Sequence, residues 1–170
     1  MEAAPLTPQE ITRLREMMDH DAIRQVVNDY FHAMDSRNLG LLEKVFTPDA
    51  TYEVDLVDHP TIRLEGYEQV AGAIANVTMF RTSHHGVRNM SIDIQGDAAH
   101  VNLFAMDALH DDRRFEGDTV AGGRVIQHGL RYVDEFERRP EGWRIRHRHL
   151  YCLWQIVTIN PAHCEHLPPW

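Results

Sequence analysis

The segment RTSHHGVRN, residues 81–89, sets two adjacent histidines ahead of a glycine, between an apolar stretch and an alternating one. An imidazole titrates near neutrality, so a histidine here is an acid, a base, a metal ligand or a satisfied polar residue at the start of a strand. Successive strand residues point to opposite faces, so only one of His84 and His85 faces a given interior. Spacing alone leaves open which one. Upstream, Asp35 follows a stripe of Ile23, Val27, Tyr30, Phe31 and Met34 at helical spacing and lies on the face of Phe31, four residues back. A carboxylate at the border of an apolar interior needs a partner, because an unpaired buried charge is expensive; otherwise Asp35 is a solvated helix end. A histidine is such a partner. A carboxylate that accepts the Nδ1–H of an imidazole fixes its tautomer and leaves Nε2 free as a base.

Other residues add candidates. Tyr30 belongs to the helical stripe, and its hydroxyl is a donor for a developing oxyanion or simply the tip of a core tyrosine. On the last strand, alternation expects Arg144, Arg146 and Arg148 on one face and Trp143, Ile145 and His147 on the other. An arginine near the middle of that strand can meet an anionic leaving group. Asp107 and His110 lie on the strand FAMDALH. Asp107, His110, His85, Tyr52, Phe31 and Arg146 complete the candidate substrate contacts. The twelve histidines include HRH at 147–149 and HCEH at 163–166, but neither has a zinc-finger or zincin spacing, so no metal centre is expected. A Gly-rich phosphate loop and a Ser-centred nucleophile elbow are both missing, and Cys152 and Cys164 lie in no reactive context.

The elements that position these residues follow from pattern. TPQE opens a helix expected over residues 8–18, with Thr7 as cap, Pro8 at the first position and Glu10 closing a capping box. A second helix is expected over 21–36, and LGLLEKVF reads as a third, short one. ATYEVDLV and TIRLEG read as strands with a turn near DHP; residues 67–78 read as a helix. Long strands follow: HHGVRNMSIDI, then AHVNLFAMDALH after the turn QGDA, then GRVIQHGLRYVDEFERR, then WRIRHRHLYCLWQIV after PEG. Helices first, then a meander with one inserted helix, is an α+β plan: helices on a strongly curved, mostly antiparallel sheet that forms a cone-shaped barrel with a pocket at its mouth.

Composition sets the outer bounds. The 170 residues suit one domain, and 43% are hydrophobic, close to a soluble globular average. A net charge of −9 argues against a nucleic-acid partner. No apolar run reaches membrane-span length, and the N-terminus lacks the order of a signal peptide. Two cysteines make no disulfide framework, so the expected compartment is the cytoplasm. The long strand LYCLWQIV suggests an edge used for a homodimer or homotrimer.

With Tyr30, Asp35, TSHHG and DEFERRPEGWRIRHR together, the chain resembles the SnoaL-like branch of the nuclear transport factor 2-like superfamily over about residues 19–157. The opening helix and first strand, the histidine-bearing strand with its GD turn, and the final hairpin carry the likeness. By motif it is most similar to the scytalone dehydratase, bile acid 7α-dehydratase and γ-hexachlorocyclohexane dehydrochlorinase members, which eliminate HX from a ring without a cofactor. The resemblance implies a cone-shaped barrel and no cofactor. It matches the catalytic Asp of x-D-x-R to Asp35 in MDSR, and the histidine of H-aromatic-G to His84 rather than His85. It matches Tyr30 to a polar residue five places before the Asp, and Arg148 to an arginine five places after the hairpin tryptophan. Asp107 falls near a carboxylate of the bile acid enzyme. The stretch GVRN carries one residue more between glycine and asparagine than the dehydrochlorinase pattern.

The expected function is therefore a cofactor-independent lyase, a dehydratase acting on a small apolar cyclic, polyketide-like or steroid-like molecule. His84 is the expected base, Asp35 its orienter, Tyr30 a donor to the substrate oxygen and Arg148 a support for the departing anion. An isomerase or cyclase with the same pair is the first alternative. A ligand-binding module or a structural subunit of the same fold, neither of which needs an Asp–His pair, is the second.

Overall fold

The computed structural model describes residues 5–113 and 123–159. It begins with α1, Pro8–Asp35, where the capping box between Thr7 and Glu10 forms as expected. The two helices expected over 8–18 and 21–36 are one. DHD at 19–21 contains neither glycine nor proline, so nothing stops the hydrogen-bond ladder there. The N-terminal half of α1 leaves Ile11, Leu14, Met17 and Met18 exposed, and core packing starts at Ile23.

A short 3-10 helix, Leu39–Lys44, follows. Then come β1 (Phe46–Asp55), β2 (Ile62–Glu65) and α2 (Tyr67–Ile74), the last extended by a 3-10 turn through Met79. Four long strands complete the fold: β3 (Thr82–Gln95), β4 (Ala98–Asp111), β5 (Arg124–Arg139) and β6 (Gly142–Ile159). The sheet order is β2-β1-β6-β5-β4-β3. Among the described strands, only the β1–β6 pair is parallel. The expected α+β plan holds: α1 lies against β3 and β6, and α2 against β1 and β2.

The helix-facing side of the sheet alternates cleanly along β4, where Ala99, Val101, Leu103, Ala105, Asp107 and Leu109 are buried. Irregularities interrupt the pleat elsewhere, and one of them shifts the β1–β6 register between Phe46 and Thr51. Between Val87 and Met90, β3 places two residues opposite Phe104. This bulge falls within the stretch GVRN. Between Glu135 and Phe136, β6 inserts Arg146, and between Gly129 and Leu130 it inserts Leu153. Each bulge flips the parity of the strand beyond it. At Gly129 a Cβ would stand 2.2 Å from the Trp154 indole, which packs onto the glycine backbone. Toward the end of β6, Leu153, Ile156, Val157 and Ile159 remain exposed.

Candidate active site

A cavity of about 320 Å³ opens between α1, α2 and the sheet. Its wall is mostly aliphatic and aromatic. Its polar side chains include Tyr30, Tyr52, Asn76, His85, Asp107, His128 and Tyr132.

Asp35 stands at the last turn of α1 and is bound to the start of β3. Its Oδ1 accepts from Nδ1 of His85 at 2.6 Å and from the Ser83 hydroxyl at 2.9 Å; its Oδ2 accepts from the His85 backbone N–H at 2.8 Å. Burial pulls this carboxyl upward, but the hydrogen bonds and charge of His85, with the bond from Ser83, outweigh it and hold the group below the ordinary range. Arg37 reinforces the junction. Its backbone is left-handed, with φ of 62°, and its guanidinium donates to Ser83 Oγ at 2.6 Å, to the Phe80 carbonyl at 3.2 Å and to the Met34 carbonyl. Phe31 stacks on the His85 ring with centroids 5.5 Å apart, which fixes the imidazole plane.

The histidine that pairs with Asp35 is thus His85, and the expectation of His84 is corrected. Residues 83 and 85 share one face of β3, and the opposite parity puts His84 outside, exposed to solvent. The Nε2 of His85 faces the cavity, 3.9 Å from Asp107 Oδ2.

Tyr30 and Tyr52 line the cavity floor with their hydroxyls 3.3 Å apart. Burial pushes the Tyr52 and Tyr132 hydroxyls well above the ordinary phenol range, so both stay protonated donors. Arg148 lies below them rather than in the cavity. It is fully buried, donates from Nε and Nη2 to Asp134 at 2.7 and 2.6 Å, and stacks 4.0 Å from the Tyr30 ring centroid. Burial opposes its charge, but Asp134 raises its pKa further. The expectation that Arg148 meets a leaving anion is corrected, because the side chain is absent from the cavity lining and its Nε and Nη2 edge is held by Asp134. The bulge at Arg146 is the cause: it moves Arg148 onto the face of Trp143 and Ile145.

Three candidate substrate contacts are also corrected. Arg146 is exposed and paired with Glu135 outside the barrel. Phe31 backs His85 instead of lining the cavity. His110 is buried, three residues past Asp107 and so of opposite parity, away from the cavity lining. Tyr52, Asp107 and His85 do line it.

Sequence reasoning missed His128. Asp107 Oδ1 accepts from the His128 backbone N–H at 3.0 Å and from its Nδ1 at 2.8 Å, and Nε2 of His128 meets Gln155 Oε1 at 3.2 Å. The residue was readable: IQHGLRY alternates, with His128, Leu130 and Tyr132 on one face, and Leu130 and Tyr132 are core types. Ser83 and Arg37 were missed as well, although TSHHG gives Ser83 the parity of His85.

Among the described residues, no group of three or more His, Cys, Asp or Glu is arranged to hold a metal ion. In HRH, His147 bonds Thr51 and His149 bonds Asp55. The HCEH segment lies outside the described residues. Among the described residues, no helix is long and apolar enough to cross a membrane.

Comparison with known proteins agrees with this architecture. The SnoaL-like domain matches residues 15–149. The uncharacterized protein Rv2910c of Mycobacterium tuberculosis is 32% identical over 138 residues, covering 78% of this chain and 84% of its own length. A hexachlorocyclohexane dehydrochlorinase, LinA-type3 from Novosphingobium barchaimii, superposes with a TM-score of 0.70 at 18% identity, covering 92% of this chain and 99% of that one. A scytalone dehydratase-like protein from Novosphingobium aromaticivorans gives 0.66 at 20% identity, covering 94% and 96%. At these identities the two structures speak for the fold. With the domain match spanning most of its length, this chain belongs to the SnoaL-like family, within the nuclear transport factor 2-like fold.

Proposed function

We propose that the protein is a cofactor-independent lyase that removes a proton beside a carbonyl of a small, mostly apolar cyclic molecule and expels a β-substituent. The observation that carries this is the Asp35–His85 pair set into the wall of an otherwise apolar cavity. Asp35 holds Nδ1, so Nε2 is the base. Asp35 and Asp107 flank the imidazolium that forms and stabilise it. Tyr30 and Tyr52 stand where a substrate carbonyl can accept a hydrogen bond, and so lower the cost of the enolate. The cavity volume suits one or two rings rather than a polymer. The eliminating activities named for the two structural neighbours fit the same chemistry.

A product screen with cyclic β-substituted ketones tests the reading. Turnover should appear in the wild type, fall by roughly 10²–10⁴-fold in His85→Ala, and stay unchanged in His84→Ala. Double-bond migration without loss of the substituent would make the protein an isomerase on the same pair. Tight binding with no turnover in any variant would make it a ligand-binding module.

A further inference from the structure

Four strands place four polar side chains in one row. In the registers of β3, β4, β5 and β6, His85 stands opposite Asp107, Asp107 opposite His128, and His128 opposite Gln155. Directly opposed residues share a face, so the row runs across the sheet and ends toward the mouth at exposed Gln155. With strands about 4.8 Å apart, the backbones of the two histidines are roughly 10 Å apart, with Asp107 between them. Both imidazoles line the same cavity. Their environments differ. His85 has its Nδ1 held by Asp35. His128 has an acceptor at each nitrogen, Asp107 Oδ1 at Nδ1 and Gln155 Oε1 at Nε2. A ring that donates from both nitrogens is the imidazolium.

From this row we infer that His128 is a catalytic acid acting opposite His85, and that the group expelled is a hydroxyl, which leaves as water. The inference rests on the lyase reading above. Nε2 of His85 takes the carbon-bound proton, and the electron pair of that C–H bond becomes the new double bond by way of the enolate. The C–O bond breaks with its pair on oxygen. Nε2 of His128, released from Gln155, supplies the proton that completes the water. His85 ends as imidazolium and His128 as neutral imidazole, and Asp107 lies between them to hold whichever is charged. A halide or carboxylate departs as a stable anion and needs no such proton. A cationic imidazole on the cavity wall therefore selects for a poor leaving group. Burial disfavours the charge on His128, but the hydrogen bond and charge of Asp107 outweigh it and raise its pKa, in agreement with the geometry.

The test compares two substrates and two variants. His128→Asn keeps a donor for Asp107 but has no proton to transfer. On a cyclic β-hydroxy ketone it should lose roughly 10²–10⁴-fold in kcat, and on the matching β-acetoxy ketone it should stay within about threefold of wild type. His85→Ala should lose activity on both. Equal loss by His128→Asn on the two substrates, or no loss on either, overturns the acid role while leaving the lyase reading intact. A wild type inert on both sinks the lyase reading and this inference with it. Thermal melts confirm folding of each variant. A second readout needs no substrate: in nitrogen-15 histidine NMR, His128 should carry protons on both nitrogens at neutral pH and lose one in Asp107→Asn. A neutral His128 in the wild type also overturns the proposal.

Discussion

At the scale of single residues, the base is made by what holds its other nitrogen. Asp35, Ser83 and the His85 backbone N–H form one closed set of hydrogen bonds, and Phe31 fixes the ring plane. Such a set fails as a unit. Asp35→Asn and His85→Ala should each lower kcat/KM by roughly 10²–10⁴-fold. The double variant should be scarcely worse than either single one, since the loss of one partner already removes what the other does. Ser83→Ala removes one bond to Asp35 and should cost about tenfold, the share of one hydrogen bond. Fully additive losses in steady-state kinetics would mean that Asp35 and His85 act separately. The type of each residue in the pair was legible from the sequence. Its register was not: HHG offers two imidazoles, and the parity that decides between them is set by where Asp35 meets β3, a contact between elements distant in sequence.

At the scale of elements, helices, strands and turns were largely legible because their periods differ. The order of long strands and the two hairpin turns followed from alternation and from GD and PEG, with Gly96 taking the positive φ of 65° that the first turn requires. The bulges were not legible, because a bulge adds one residue without altering composition. The bulge at Arg146 had the largest consequence: simple alternation put Arg148 with the solvated arginines, and the inserted residue turned it inward against Asp134. A buried ion pair held in this way is costly to halve. Arg148→Met should lower stability by about 3–5 kcal/mol, because it strands Asp134 among aromatic rings. Combining it with Asp134→Leu should recover much of that loss, since no charge is then left unpaired. Urea denaturation of the two single variants and the double variant decides this. A double variant as unstable as the sum of the singles would show that packing, and not charge pairing, governs this position.

At the scale of the whole molecule, charged side chains join the long helix to the sheet both at the end of α1 and near its middle. Its end is fixed through Asp35 and Arg37, and its middle through Asp19. Arg138, on the β5–β6 hairpin, donates to Asp19 at 2.6 and 2.7 Å and stacks 4.4 Å from the Trp143 ring centroid; the Trp143 indole N–H donates to Asp19 at 3.1 Å. The Arg138 hydrogen bonds hold the Asp19 carboxyl below its ordinary value of 3.8, against a smaller upward pull from burial. The sign of the pH dependence follows. A carboxyl whose pKa is lower in the folded state contributes stability above its unfolded value and loses it as pH falls through the folded one. Asp35 adds to the same limb. His128 acts in the opposite sense: its raised pKa contributes stability fully below the unfolded value, and this is lost as pH rises through the folded one. Thermal melts of wild type and Asp19→Asn should therefore differ at about pH 6, and the gap should close as pH falls toward about 2, where the wild-type carboxyl is protonated and resembles the amide. The alkaline limb, which belongs to His128, should be the same in both proteins. A Tm gap that stays constant down the acid limb would mean that Asp19 joins helix to hairpin by shape alone, without its charge.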